Sequence, residues 1–465
     1  MKEDHVMSHL IKILICFCIY LGQAQSFAQP PTSPTSETEI PSSSTSPSAP
    51  SRSEIEWSQH FQLTTVTQTH SGLHSPYSGP LSLTNRYEIP SSLTATLFIG
   101  HRLWQNAYAF VNPEESIGAG LNSTHGIAAF PNGEVYRVDD PSPKINLSRL
   151  FIQQDFNLGH EKEKIEDDAN QFDQEKSIER ITVVAGKFSL NDYLDGNSYS
   201  HDPRTQFFNW ALMDTGAWDY AADTRGYTWG VMTELHLKKW SVRFALVQVP
   251  AIANGIALEG DLKNAHAENL ELEYRYALLE HPGKMRLLLF SNQARMGNYR
   301  TSIRQGLASA QSPDITDSRT FSSKTGFALN LEQEISSDLG TFARLGWNDG
   351  STETWAFTEI DRSIAFGLSL KGSGWTRPSD VFGLAVMLNG LSKDHADYLG
   401  AGGLGFIIGD GKLNYALEQI IETYYSLQLF KSLSATADFQ GVNHPGYNAD
   451  RGPLAVYGFR LHFEI

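Results

Sequence analysis

The chain has 465 residues, 52 of them acidic and 36 basic, for a net charge of −16. This balance excludes a nucleic-acid binder, which needs a basic face to neutralise phosphates. Both cysteines, Cys16 and Cys18, stand close to the N-terminus. Once that stretch is removed, disulfide scaffolds, thiol nucleophiles and cysteine-ligated zinc drop out.

Residues 1–28 read as a secretory signal. Lys2 and Lys12 supply the positive region, residues 13–21 the apolar one, and Ser26-Phe27-Ala28 the small residues of a cleavage site. The apolar run is too short for a membrane helix, which takes about 20 residues. Residues 29–53 are rich in Pro, Ser and Thr, with almost nothing apolar to bury, and are expected to form a disordered linker.

From Trp57 onward the repeating signal is period-two alternation. Leu270, Leu272, Tyr274 and Tyr276 alternate with Glu271, Glu273 and Arg275. Phe327, Leu329 and Leu331 alternate with Gly326, Asn330 and Glu332; Ile364, Phe366 and Leu368 alternate with Ser363, Gly367 and Ser369. A soluble sandwich and a membrane barrel both produce such alternation. The spacing separates them. Sixteen strands are expected near residues 58–69, 93–102, 107–112, 146–157, 180–189, 228–237, 240–249, 269–279, 284–294, 325–335, 339–347, 363–371, 380–389, 418–430, 433–443 and 454–465. Short connections (103–106, 238–239, 336–338, 431–432) exchange with long ones (190–227, 295–324, 390–417), as turns and loops do in outer-membrane barrels. The last strand alternates Tyr457, Phe459, Leu461, Phe463 and Ile465 with Gly458, Arg460, His462 and Glu464 up to the final residue. An exposed apolar edge invites aggregation, and closing a barrel consumes it. The fold class expected is therefore all-β: a transmembrane antiparallel β-barrel of about 16 strands over residues 54–465.

One connection departs from the pattern. Residues 158–179 carry Glu161, Lys162, Glu163, Lys164, Glu166, Asp167 and Asp168 and are expected to form a solvated insertion. The interleaved lysines, and the absence of glycine among these acids, disfavour a calcium loop.

Residues 190–227 form the longest loop, dense in polar and aromatic groups. It runs through His201-Asp202-Pro203-Arg204, Phe207-Phe208-Asn209-Trp210, Trp218-Asp219-Tyr220 and Asp223-Thr224-Arg225-Gly226-Tyr227. Ordering so long a segment costs entropy, which argues for a function. This stretch, with Gly186-Lys187-Phe188 before it and Thr228-Trp229-Gly230 after it, resembles the carbohydrate-selective porin family, the OprB-like proteins of Gram-negative outer membranes. Asn112-Pro113-Glu114, Phe130-Pro131-Asn132-Gly133-Glu134, and Asn443-His444-Pro445 through Arg451-Gly452-Pro453 share the resemblance.

The resemblance implies a sixteen-stranded barrel with one loop folded inward as a constriction, placed by position at 190–227. It also implies passive, sugar-selective diffusion into the periplasm, with no catalytic residue and no cofactor. Sugars offer hydroxyls that donate and accept, plus flat CH faces. Arg204 and Arg225 suit the hydroxyl oxygens; Asp202, Asp219 and Asp223 suit the hydroxyl protons; Trp210 and Trp218 suit the ring face; Asn209 completes the set. The expected partners are small sugars, outer-membrane lipid and lipopolysaccharide, and the barrel-assembly machinery through the last strand, with the protein a monomer or homotrimer.

Two other readings compete. The acids and His201 would suit a divalent cation in transit, making a manganese-selective channel of the same family. A membrane hydrolase or an exported glycan binder is the third, although no Gly-x-Ser-x-Gly elbow occurs. The histidines form no His-Glu-x-x-His motif, so a fixed zinc site is not expected.

Overall fold

In the computed structural model, residues 56–135 and 141–465 are described. The expected signal (1–28) and linker (29–53) lie outside them. The first strands are β1 (Trp57–His70), β2 (Ser91–Trp104), β3 (Ala107–Gly118) and β4 (Lys144–Asn157). A short hairpin, β5 (Lys162–Ile165) and β6 (Gln174–Ser177), precedes β7 (Arg180–Phe188), β8 (Thr228–His236), β9 (Trp240–Val247) and β10 (His266–Leu278). Then come β11 (His281–Met296), β12 (Thr320–Glu334), β13 (Leu339–Asn348) and β14 (Arg362–Gly372). The chain ends with β15 (Arg377–Gly390), β16 (Glu418–Phe430), β17 (Leu433–Asn443) and β18 (Leu454–Glu464).

All strands except β5 and β6 form one closed barrel of antiparallel neighbours, sealed where β1 pairs with β18. At the seam the Phe61 amide donates to the Ile465 carbonyl (2.9 Å), and the Ile465 amide returns a bond of 3.0 Å. The sixteen expected strands are thus present. No helix among the described residues is long and apolar enough to cross a membrane.

Side chains sort as the alternation requires. Leu270, Leu272, Phe366, Tyr457 and Phe459 point outward and are exposed, whereas Glu271, Glu273, Asn330, Glu332 and Arg460 point inward and are buried. β3 runs past its expected end at 112 to Gly118. Pro113 and the adjacent acids give that half no strand signal, yet β2 and β4 both pair with it, and Glu114 meets an arginine inside the barrel.

The lumen is not an open tube. Residues 190–227 enter it from the long-loop end, which is the outer face in such barrels. Trp210, Trp218 and Tyr220 pack there with Trp355 and Phe357 of the 349–361 loop. A second apolar cluster joins Phe207 and Leu212 to Ile360, Ile407 and Tyr447. Buried carboxylates hold these loops by their backbone. Asp219 accepts from the amides of Trp355, Ala356 and Phe357 (2.8–3.0 Å). Glu359 accepts from Ile407 and Ile408, and Glu418 from Ala128, Ala129 and Gly446.

The 158–179 segment is only partly as expected. Glu161, Lys162, Lys164, Glu166, Asp167 and Asp168 are exposed, as in a solvated insertion. The segment nevertheless forms the β5–β6 hairpin, and Phe172 is buried against Tyr108 and Phe110 on the inner face of β3. Charges nearer the wall are paired, as in Lys176 with Asp155 (2.8 Å) and Arg180 with Glu163 (2.6 Å).

Candidate functional site

The 190–227 loop is fixed around the inner wall. On β13, Arg344 donates to the carbonyls of Asp195 and Leu212. Arg460 on β18 donates to the carbonyls of Pro203 and Gln206 (2.7 and 2.8 Å). Glu422 on β16 accepts from the amides of Phe208 and Asn209. Each of these charges stands at an inward position of its strand, so alternation predicts where it points but not what it grips.

Beneath the loop lies a cavity of about 310 Å³, lined among others by Arg149, Arg204 and Arg225 and by Glu134, Asp192 and Asp202. Four of the eight sequence candidates, Asp202, Arg204, Trp210 and Arg225, border this space. The other four do not.

Arg204 is the most heavily engaged. Its Nε donates to Glu134 (3.1 Å), its Nη1 to Gln62 (3.0 Å) and Thr96 (3.1 Å), and its Nη2 to Glu114 (3.1 Å). Four of the five N–H groups of a guanidinium are thus spent on β1, β2, β3 and residue 134. Burial opposes its charge, but Glu134 and Glu114 outweigh that and hold its pKa above the ordinary arginine value. Gly133 lets the loop approach: a Cβ there would lie 2.6 Å from Pro203 Cβ. The Asn112-Pro113-Glu114 and Phe130 to Glu134 blocks therefore converge on one arginine.

Asp202 caps its own turn, accepting from the Arg204 amide (2.9 Å) and the Thr205 hydroxyl (2.8 Å). Burial would raise its carboxyl, but the Arg204 amide and guanidinium bring it below the usual range. Trp210, at the start of α1 (Trp210–Met213), sends its indole N–H to the Asn132 carbonyl (2.8 Å). Arg225 is half-buried at the cavity's edge, its amide donating to Asp223 (2.9 Å).

The remaining four are spent on holding the loop. Asn209 caps α1 and donates to Ala129 and Gln440; it is fully buried. Trp218, also fully buried, donates to Asn269 (3.1 Å). Asp219 is the amide acceptor described above. Asp223 ties its turn through the Tyr227 amide (3.2 Å), with Lys187 3.7 Å away; burial pushes its carboxyl up despite that lysine.

Several cavity groups were not among the candidates. Arg149 on β4 forms a two-pronged pair with Asp192 (2.7 and 2.5 Å) and lies 5.2 Å from the centre of the Tyr227 ring. Tyr227 donates its hydroxyl to Glu114 (2.9 Å). Ala169 and Asn170, from the 158–179 segment, line the same space. Arg149 was reachable as an inward strand charge, whereas nothing local to Ala169 or Asn170 signals the lumen.

A closed antiparallel barrel with its lumen narrowed by an inward loop is the architecture of an outer-membrane porin. The high-pH structure of Pseudomonas putida OprB superposes with a TM-score of 0.64 at 15% identity, over 88% of this chain and 94% of that one, a likeness of fold. The family model described as "Carbohydrate-selective porin, OprB family" matches residues 88–465, and the chain belongs to that family. Porin AaxA of Chlamydia abortus is 29% identical over 290 residues, covering 61% of this chain and 54% of the relative. Porin AaxA of Chlamydia caviae is 24% identical over 299 residues, covering 63% and 56%. The chain thus spans about half the length of the curated relatives it matches.

Proposed function

We propose that this protein lets small sugars diffuse passively across the outer membrane through the cavity beneath the 190–227 loop. The observation that carries the reading is the match to the carbohydrate-selective family over residues 88–465. The chemistry agrees with it. Three guanidinium and three carboxylate groups border the cavity together with the rings of Trp210, Tyr220 and Tyr227. Neutral polyols exchange hydrogen bonds with such a mixed wall and lay CH faces on the rings. Release requires that contacts stay few, and most of these charges are already engaged with one another.

The same pairing disfavours the manganese alternative. Asp192 is held by Arg149 and Glu134 by Arg204, so two of the three cavity carboxylates offer a passing cation little uncompensated charge.

Arg225 gives the test, because it borders the cavity, whereas Arg204 spends its guanidinium on β1, β2, β3 and residue 134. Arg225→Ala is expected to weaken glucose block of single-channel current by about threefold to tenfold, the net loss of one ordinary hydrogen bond in a wet channel. Current block by glucose that is identical in the variant and the parent, with manganese flux changed instead, would overturn the sugar reading.

A further inference from the structure

We propose that the hairpin at residues 158–179 is the periplasmic half of the constriction, a fixed sill facing the 190–227 loop across the cavity. The proposal rests on the barrel being a solute passage, and not on the solute being a sugar.

The hairpin joins β4 to β7, where Asn157 pairs with Arg180, at the end of the barrel that carries the short turns. That end faces the periplasm in outer-membrane barrels. From there the hairpin folds into the lumen. Its ring, Phe172, is buried against Tyr108 and Phe110. The site is shaped for it: a Cβ on Gly100 would come within 3.0 Å of Phe172 Cε2 and 2.9 Å of Phe110 Cε1. Burying one phenylalanine favours the inward position over a solvated one.

Polar contacts fix how deep the tip reaches. Asp167 accepts from Ser58 (3.1 Å) and lies 3.3 Å from His60, both on β1. Further in, Asn112 donates to Asn170 (2.9 Å). Asn112 and Glu114 are successive inward positions of β3, and Glu114 is the partner of Arg204. Two residues of strand rise about 7 Å. The tip therefore stands one step below the arginine that anchors the outer loop, and a solute leaving that cavity passes Ala169 and Asn170.

A constriction built from both mouths sets size exclusion by the gap between two fixed elements. The outer loop alone does not define it. Replacing residues 161–177 with a short Gly-Ser turn is expected to raise single-channel conductance in potassium chloride by about twofold or more, and to admit larger neutral polymers. Conductance and polymer cut-off equal to those of the parent would overturn the proposal. Should the deletion fail to assemble, Asn170→Trp provides an independent arm: it is expected to cut conductance to about half or less, and an unchanged value counts against the sill. Both readouts use salt and polymer, so they stand apart from sugar block. Absence of glucose block in the parent, with the deletion still widening the cut-off, would strike only the proposed solute.

Discussion

The outer loop and the periplasmic hairpin enter one lumen from opposite mouths, and different chemistry keeps each in place. Around the outer loop, buried carboxylates take main-chain amides in dry surroundings: Glu422 holds Phe208 and Asn209, and Asp219 holds three residues of the 349–361 loop. The hairpin relies on exposed ion pairs between side chains, such as Lys162 with Glu175 and Lys164 with Glu166, and on a single buried ring. Charged hydrogen bonds to buried amides are worth about 1.5–3 kcal/mol each and are little affected by salt, whereas exposed ion pairs are worth about 0–1 and are screened. The outer element should therefore behave as part of the wall, and the inner one as the softer partner.

The largest expected effect comes from removing an amide acceptor. Asp219→Ala leaves the amides of Trp355, Ala356 and Phe357 buried without partners, a local loss of roughly 3–5 kcal/mol. Hydrogen exchange at those three amides should accelerate more than about a hundredfold. If they remain as protected as in the parent, the carboxylate is not what holds the loops together.

An intermediate effect depends on pH. Asp361 accepts from the Ser392 amide (2.8 Å) and meets His395 Nδ1 at 3.0 Å. His395 lies in α3 (Lys393–Gly400) and stacks on Tyr299 at the start of α2 (Tyr299–Ser309). Burial would raise the Asp361 carboxyl, but His395 and the Ser392 amide hold it down to about 2. A depressed carboxyl stabilises the fold above its unfolded value, near pH 4, and that stability is lost as pH falls toward 2; the two-unit shift amounts to about 2–3 kcal/mol. Glu359, on the other side of the ring, is pushed up by burial, so its contribution runs in the opposite direction. Asp361→Asn should flatten the exchange rate of the Ser392 amide between pH 4 and 2. A parent protein already flat over that window would refute the assignment.

The smallest effect is the effect of salt. Raising sodium chloride to about 1 M should loosen the hairpin by no more than about 1 kcal/mol, seen as faster exchange at residues 162–165, and leave 208–209 unchanged. Equal responses would erase the distinction between the two elements.

The wall was legible because its two faces meet opposite media, so alternation at 270–276, 327–332 and 364–368 survives in the sequence. The outer half of β3 was not: Pro113 and the adjacent acids obey the contacts they make inside the barrel and not strand propensity. In the 190–227 loop, composition located the element but could not separate the arginine at the cavity's edge, Arg225, from the tryptophan sunk in packing, Trp218. Both residue types recognise sugars, and only the tertiary fold decides which faces space. The hairpin was half legible. Most of its lysines and glutamates are exposed, as read, while the residue that turns it inward, Phe172, is one ring whose pocket is built by Gly100 and β3.

Holding loops by their main-chain amides gives the extracellular face latitude to evolve. Asp219, Glu359 and Glu418 grip groups that every residue but proline carries. Exposed side chains of the 401–417 loop, such as Lys412 and Asn414, can thus drift under selection at the cell surface, while the buried side chains at 355–357, 407–408 and 128–129 and the amides held beside them keep the roof of the channel in shape.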